Sequence, residues 1–374
     1  MSARFQFRPA CADDCEALEG LVRATPQPGQ ITLGFERAPD FFMGTQVATS
    51  DPDVWVMLDT KHQRLMAVFS IGQRKVFMNG TPRIVRYGND LRIHPDYQGG
   101  RTLLRISRQY QALIRDEWMQ TVILSDNDRS LTTVGSGRAG LPTYHPCGGL
   151  RTHLLYPMCA ARQPKRRDDI EVRPATLFDV SAMQAFFDRE AARYQFYPCY
   201  DFDRIARGDD PYYRSLSLSD YALAFRQGEL IGMVGSWNQK SFRQTRFIRY
   251  QGSLRILRHL NNLDVRLRGG MALPAPGKVL NYRMLHTVLV QNEDQTVFEH
   301  LVHHLYQCHA SRAVKPASRS ALVCGLGEDS GLNRVLERYR SQVIESRHFL
   351  VSFEGDPREA LAAHFPLYLE AARL

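Results

Sequence analysis

The sequence predicts an α/β protein of the α+β kind: two tandem domains, each a mixed, mostly antiparallel sheet flanked by helices. Three observations predict it. The chain repeats itself, since "FRPACADDCEAL" from Phe7 meets "VRPATLFDVSAM" from Val172. Arg8, Pro9, Ala10 and Asp14 fall on Arg173, Pro174, Ala175 and Asp179, an offset of 165 that "QRLMAVFSIG" and "GELIGMVGSW" share. Each copy carries its strand-like and helix-like stretches in one order. And 374 residues, 44% of them hydrophobic, suffice for two cores.

Within the first copy, a strand near Phe7 leads through a polar turn to an amphipathic helix. Next, "RKVFM" and "PRIVRY" flank Asn79-Gly80, a hairpin signal because both turn residues tolerate positive φ. "VRYGNDLRIH" continues as a strand with a break expected at Gly88. A helix comes after it, its stripe made by Leu103, Ile106, Tyr110, Leu113, Ile114 and Trp118. "TVILSDND" and "GLRTHLLYP" read as the closing strands. "ARQPKRRDD" is polar and charged, which sets the domains at 1–160 and 170–374 with a linker at 161–169. In the second copy the later elements shift to an offset near 195, so about 30 extra residues form an insertion at about 240–278.

No apolar run has the length of a signal peptide or a bilayer span, and a cytoplasmic protein without membrane contact is expected. The seven cysteines are odd in number and include no C-x-x-C, which favours free thiols. The net charge of +9 is concentrated: residues 240–278 hold nine Lys or Arg against one acid, Asp264. Within it "RFIRYQGSLRILRHL" alternates Arg with apolar residues at spacings that suit an amphipathic segment packed on its own protein, so nucleic acid is not expected as a partner. His300, His303 and His304 sit at helical spacing without the H-E-x-x-H order, and no metal is expected.

"RIHPDYQGGRTLLRI" runs from strand to helix through two glycines. It reads either as a tight turn or as a phosphate cradle, in which the unpaired N–H groups of the helix start meet an anion. Here the sequence resembles the GNAT superfamily of N-acetyltransferases, whose pyrophosphate loop comes after "hPdyrG". Tyr97, Gln98 and Gly99 match, while Arg101 and Leu103 stand where small residues are usual. "SDNDRSLTTVGSGRAGLPTYHPCGGLR" is similar to a later stretch of the family, with Asn127, Ser130, Tyr144 and Gly149 in corresponding positions. The likeness covers most of 5–156 and, more weakly, 170–355.

The resemblance implies two tandem GNAT-like domains and an acetyl-CoA-dependent N-acetyltransferase acting on a primary amine of a small molecule or peptide. It places acetyl-CoA on Leu91, Arg92, Ile93, Gln98, Gly99, Gly100, Arg101, Thr102 and Asn127. Tyr144 becomes the candidate acid and Asp90 the candidate base, with His94 and His145 in reserve. The second copy offers Asn292, Glu293 and Asp294 where the cradle should be, and is expected not to bind the cofactor but to wall the acceptor cleft. Glu36, Arg37 and Asp40 either meet the acceptor or cap a helix. Two alternatives stand beside this reading: a non-catalytic acyl-CoA sensor or scaffold, and a transferase using aminoacyl-tRNA. The oligomeric expectation is monomer or homodimer.

Overall fold

The computed structural model describes residues 4–27, 31–135, 137, 139–157, 164, 167–268, 272–311, 314 and 318–374, without the side chains of residues 134, 254, 257, 261, 264 and 266–268. The first half runs β1 (Phe5–Pro9), α1 (Cys15–Ala24), β2 (Ile31–Glu36), α2 (Phe41–Ala48), β3 (Asp51–Asp59), β4 (Arg64–Met78), β5 (Thr81–Ile93), α3 (Gly100–Ile114), β6 (Met119–Leu124), α4 (Asp128–Val134) and β7 (Thr143–Leu155). The second runs β8 (Glu171–Pro174), α5 (Val180–Ala191), β9 (Tyr197–Pro198), α6 (Phe202–Arg207), β10 (Tyr221–Arg226), β11 (Glu229–Trp237), β12 (Gln244–Tyr250), α7 (Leu254–Arg268), β13 (Tyr282–Val290), α8 (Gln295–His309), β14 (Ala321–Gly327), α9 (Asn333–Leu336) and β15 (Ser341–Ser352).

The repeated "RPA" segments fold alike for a chemical reason. Asp14 takes both terminal nitrogens of Arg8 at 2.6 and 2.7 Å and the Cys11 N–H at 2.9 Å, closing the first turn before α1. Asp179 does the same with Arg173 at 2.8 and 2.7 Å and the Thr176 N–H at 2.8 Å. A charge-assisted fork and an N-cap thus share one carboxylate in each copy. Asn79 and Gly80, at φ 52° and 79°, close the β4–β5 hairpin in two residues, as the Asn-Gly pair predicts.

A single mixed sheet passes through both halves in the order β1-β3-β4-β5-β6-β15-β7-β14-β13-β11-β10-β8, with β9 joined to β4. The halves trade closing strands. β15, the last strand of the second half, lies between β6 and β7 of the first, and β7 pairs on its other edge with β14. One core at the junction mixes Val47, Phe77 and Leu150 with Phe187, Trp237 and Leu369. Each such side chain contributes on the order of 1.5–3 kcal/mol by leaving water, so the halves are held by shared core as well as shared ladder. β12 and β2 form a separate two-stranded ribbon that ties the basic insertion to the first half.

Three sequence expectations need correction. The strand β5 passes unbroken through Gly88, and its irregularity comes at Asp90. Gly88 is small for another reason: a Cβ there would stand 2.8 Å from the Met119 sulfur on β6. β7 begins at Thr143, ahead of "GLRTHLLYP", because it pairs along its whole length with β15. The insertion buries Phe247 and Tyr250 of its apolar residues but leaves Ile256, Leu260 and Leu263 on α7 exposed. Of the expected linker, residues 161–163, 165 and 166 lie outside the described residues. Cys159 does too, and the other six cysteines are free.

Candidate functional site

The parallel strands β5 and β6 pair only at Arg86–Met119 and Tyr87–Gln120, and then part. Their separation starts in the backbone. On its other edge β5 pairs Asn89 with Ser70 and Arg92 with Val68, so Asp90 and Leu91 together face Phe69 alone. This is a β-bulge, and Asp90 takes φ 54° to make it. Beyond Tyr87–Gln120 the facing edges of β5, as far as Ile93, and of β6, from Thr121 to Leu124, carry no ladder to each other, and the gap between them is the slot. Leu91 remains 37% exposed. Thr121 Oγ1 donates to the Gly88 carbonyl at 2.9 Å, sealing the slot at its base.

At its far end the loop His94–Gly99 turns into α3. Tyr97 is tied to Asp59 at 3.2 Å, Gln98 Nε2 donates to the Ile93 carbonyl at 3.2 Å, and Arg129 donates to Gln98 Oε1. The Thr102 hydroxyl donates to the Tyr97 carbonyl at 2.8 Å. These contacts fix the loop while leaving the helix start open: Gly99, at φ 151°, supplies no side-chain cap, and a Cβ there would meet nothing within 4 Å. The first-turn N–H groups of Gly100, Arg101 and Thr102 therefore carry the positive end of α3 without an internal anion.

Of the candidate catalytic groups, Asp90 makes the bulge itself, and Tyr144 lies across β15 from β6, level with Met119. Tyr144, on β7, packs edge-on against Phe349 with ring centres 5.9 Å apart, and belongs to the same cluster as Ile93, Ile123 and Leu131. Burial pushes its hydroxyl up to about 12, so it is protonated at neutral pH. Asp90 is clamped by Arg37, whose Nη2 donates to both oxygens at 2.5 and 2.6 Å. Burial works to raise the Asp90 pKa, but Arg37, with Arg92 and Arg243, outweighs it and holds the carboxylate below its ordinary value. Arg37 was legible as a polar residue in a variable stretch. Its partnership with Asp90 was not, because 53 residues separate them.

Other candidates are occupied elsewhere. Asn127 caps α4 by accepting from the Ser130 N–H at 3.2 Å. His94 accepts from the Asp96 N–H at 3.2 Å and contacts Arg64 at 2.8 Å, outside the slot. His145 joins Ser352 at 3.0 Å and Asp356 at 3.3 Å. Asp40 caps α2 through the Phe42 N–H at 2.8 Å, and Glu36 receives Arg246 of β12 at 2.6 and 2.8 Å. Beside that ion pair opens a cavity of about 380 Å³ lined by Val22, Arg23, Gly34, Glu36, Arg246 and Ile248. The basic insertion thus supplies one of its walls. Among the described residues no cluster of three potential metal ligands occurs.

The second half makes the same bulge at Thr287, φ 50°, and β13 and β14 likewise part after Leu285–Cys324. Here the opening is filled by the chain itself. Glu370 accepts from the Thr287 N–H at 2.9 Å, the Tyr368 hydroxyl lies 3.4 Å from the Val288 nitrogen, and Ala371 sits so close that a Cβ on Gly325 would stand 2.4 Å from its own. Arg373, fully buried, lies 3.6 Å from the Tyr212 ring and donates to the Val47 carbonyl at 2.7 Å. The start of α8 is filled too, since Asp294 accepts from Thr296 and Val297 N–H groups at 2.8 and 3.4 Å. A carboxylate of the chain itself thus stands at the start of α8. Sequence reading missed the tail because "LYLEAARL" carries no strand or helix period.

No protein-family model and no curated protein matches the sequence. Solved structures do resemble the fold. A GCN5-related N-acetyltransferase from Sphaerobacter thermophilus aligns over 97% of this chain and 100% of its own, at 11% identity and a TM-score of 0.52. N-myristoyltransferase of Saccharomyces cerevisiae with bound myristoyl-CoA aligns over 96% of this chain and 81% of its own, at 11% identity and a TM-score of 0.59. A GCN5-related N-acetyltransferase from Anabaena variabilis covers 94% and 73%, at 12% identity and a TM-score of 0.50. The chain therefore has a GNAT-type fold, mixed α/β with one large sheet flanked by helices.

Proposed function

We propose that this GNAT-fold chain is an acyl-CoA-dependent N-acyltransferase, with acetyl-CoA as donor and a primary amine as acceptor, and that its first half carries the chemistry. The single observation behind this is the open slot between β5 and β6, which ends on the uncapped start of α3. Its counterpart in the second half is closed at both places. The neighbours described as N-acetyltransferases and the one holding myristoyl-CoA support an acyl-CoA donor on this fold.

The donor supplies its acyl group as a thioester. In this reading the N–H groups of Gly100 to Thr102 hold the diphosphate, with Gln98 and Gly99 shaping the turn and Arg101 adding charge. Backbone groups of Leu91 to Ile93, freed by the bulge, run beside the pantetheine arm and donate to the carbonyl oxygen as negative charge gathers there. Asn127 acts one step back, fixing α4 above the slot. Tyr144, protonated at neutral pH, donates to the departing sulfur. Asp90 remains ionised and draws the acceptor's ammonium group. Because Arg37 lowers its proton affinity, Asp90 relays the ammonium proton to solvent; the neutral amine then attacks the thioester carbon, the C–S bond breaks as Tyr144 protonates the sulfur, and the proton shed by the new amide nitrogen restores Tyr144 through solvent. The acceptor enters on the side of Glu36 and Arg246, where both halves contribute.

Calorimetry with acetyl-CoA, CoA and 3′-dephospho-CoA, followed by turnover with a panel of amines, tests this reading. One site per chain and acyl transfer are expected. Binding without turnover would favour a sensor, and absence of binding would remove the proposal. Comparing acetyl-CoA with longer acyl-CoAs in the same assay assigns the acyl length.

A further inference from the structure

We propose that helix α7 docks on the surface of an anionic lipid bilayer. The segment from Lys240 to Lys278 carries nine cations, and the structure divides them into two sets. Three are consumed internally: Lys240 binds the Asn281 side chain at 2.5 Å, Arg243 is buried against the Gly44 carbonyl at 2.8 Å, and Arg246 forks onto Glu36. Arg258, half-buried, lies over the Tyr250 ring, whereas Arg249, Arg255 and Lys278 are exposed. The sequence adds Arg266 and Arg268 to the last turn of α7, with Asp264 as the one acid in the helix.

A helix that only braced its own domain would turn its apolar side chains inward. In α7, Ile256, Leu260 and Leu263 are 68%, 58% and 56% exposed. At about 100° per residue these three fall within an arc of about 60°, and exposed Arg255 and His259 flank one side of it. The helix spans about 22 Å, and Ile248, also exposed, extends the apolar surface onto β12.

Charge and shape together select the partner. An apolar stripe beside exposed arginines fits a helix lying flat in the headgroup layer, its stripe reaching the acyl boundary and its guanidinium groups meeting phosphates. Nucleic acid would use the arginines and leave three aliphatic side chains in water. A second copy of this chain would bring like charges together, because the same flank faces itself. The stripe on α7 is separate from the slot between β5 and β6.

Co-sedimentation of the full chain with vesicles tests the proposal, comparing phosphatidylcholine alone with phosphatidylcholine containing phosphatidylglycerol. Binding to the anionic vesicles is expected, at least about tenfold weaker without phosphatidylglycerol and weaker again as salt rises. The triple variant I256Q/L260Q/L263Q should lose vesicle binding, and R249Q/R255Q should weaken it, both with unchanged thermal melts since every altered side chain is exposed. Three results would overturn the proposal: wild type remaining in the supernatant, the triple variant binding like wild type, or the apolar residues driving self-association in place of vesicle binding.

Discussion

At Asp90 and at Thr287 the chain makes the same bulge, with φ of 54° and 50°, and the same pair of parallel strands diverges beyond it. Past the bulge the two halves part ways. In the first half Leu91 is 37% exposed, while its counterpart Val288 is 3% exposed, its side chain packed with α8 and its N–H facing the Tyr368 hydroxyl of the tail. The first helix starts on Gly99 with no side-chain cap, the second on Asp294, whose carboxylate caps it by accepting from the Thr296 and Val297 N–H groups. A slot and a plug thus grow from one backbone plan. The difference lies in a few side chains and a tail, so it can be moved by substitution.

The largest effect should come from the plug. Arg373→Ala removes a buried cation that holds carbonyls of both halves and leaves Glu370 buried without its nearby positive charge. A loss of about 3–5 kcal/mol is expected in chemical denaturation. A change under about 1 kcal/mol would mean the tail fills space without binding the halves.

Next is pH. His348 on β15 is fully buried, with Nδ1 2.8 Å from the Cys147 carbonyl and Nε2 3.2 Å from the Gln120 amide nitrogen. Burial lowers its pKa from 6.5 to about 4, so between those values the unfolded chain binds a proton that the native chain does not. Stability should therefore fall as pH drops from 6.5 towards 4, by up to about 3 kcal/mol from this residue. His348→Gln should flatten that part of the stability profile. An unchanged slope would assign the pH response to other histidines.

The smallest and most direct test exchanges the helix starts. Gly99→Asp puts a carboxylate at the start of α3 and also strains the loop, since φ 151° disfavours any side chain, so it should weaken CoA binding at least about tenfold, with folding checked by circular dichroism. Asp294→Ala should cost about 1 kcal/mol of stability and leave CoA affinity untouched. If both variants bind CoA like wild type, the uncapped start of α3 is not the phosphate site.

Much of this was legible in one dimension. The "RPA" repeats, the Asn-Gly hairpin and the glycine loop are local, and each announces its geometry through residues within a few positions. Asp90 was legible as a strand residue near the loop, but its bulge was not, because no glycine marks it and the positive φ falls on an aspartate. The Arg37–Asp90 clamp, the Glu370–Thr287 contact and the exchange of β7 and β15 were invisible for a common reason: the partners are distant in sequence, and no local pattern marks one for the other.

The traded strands also bear on how the protein is made. Gln120 and His348 meet across the β6–β15 edge from 228 positions apart, so the first half cannot finish its sheet until nearly all of the second half has been synthesised. Until then β6 and β7 present open edges, the kind of surface on which nascent chains join the wrong neighbour. Contacts of such long range slow assembly, and they make the native state hard to dismantle piecemeal. Expressed alone, the first half would be an unfinished sheet, and the expected repair is supplying the second half in trans.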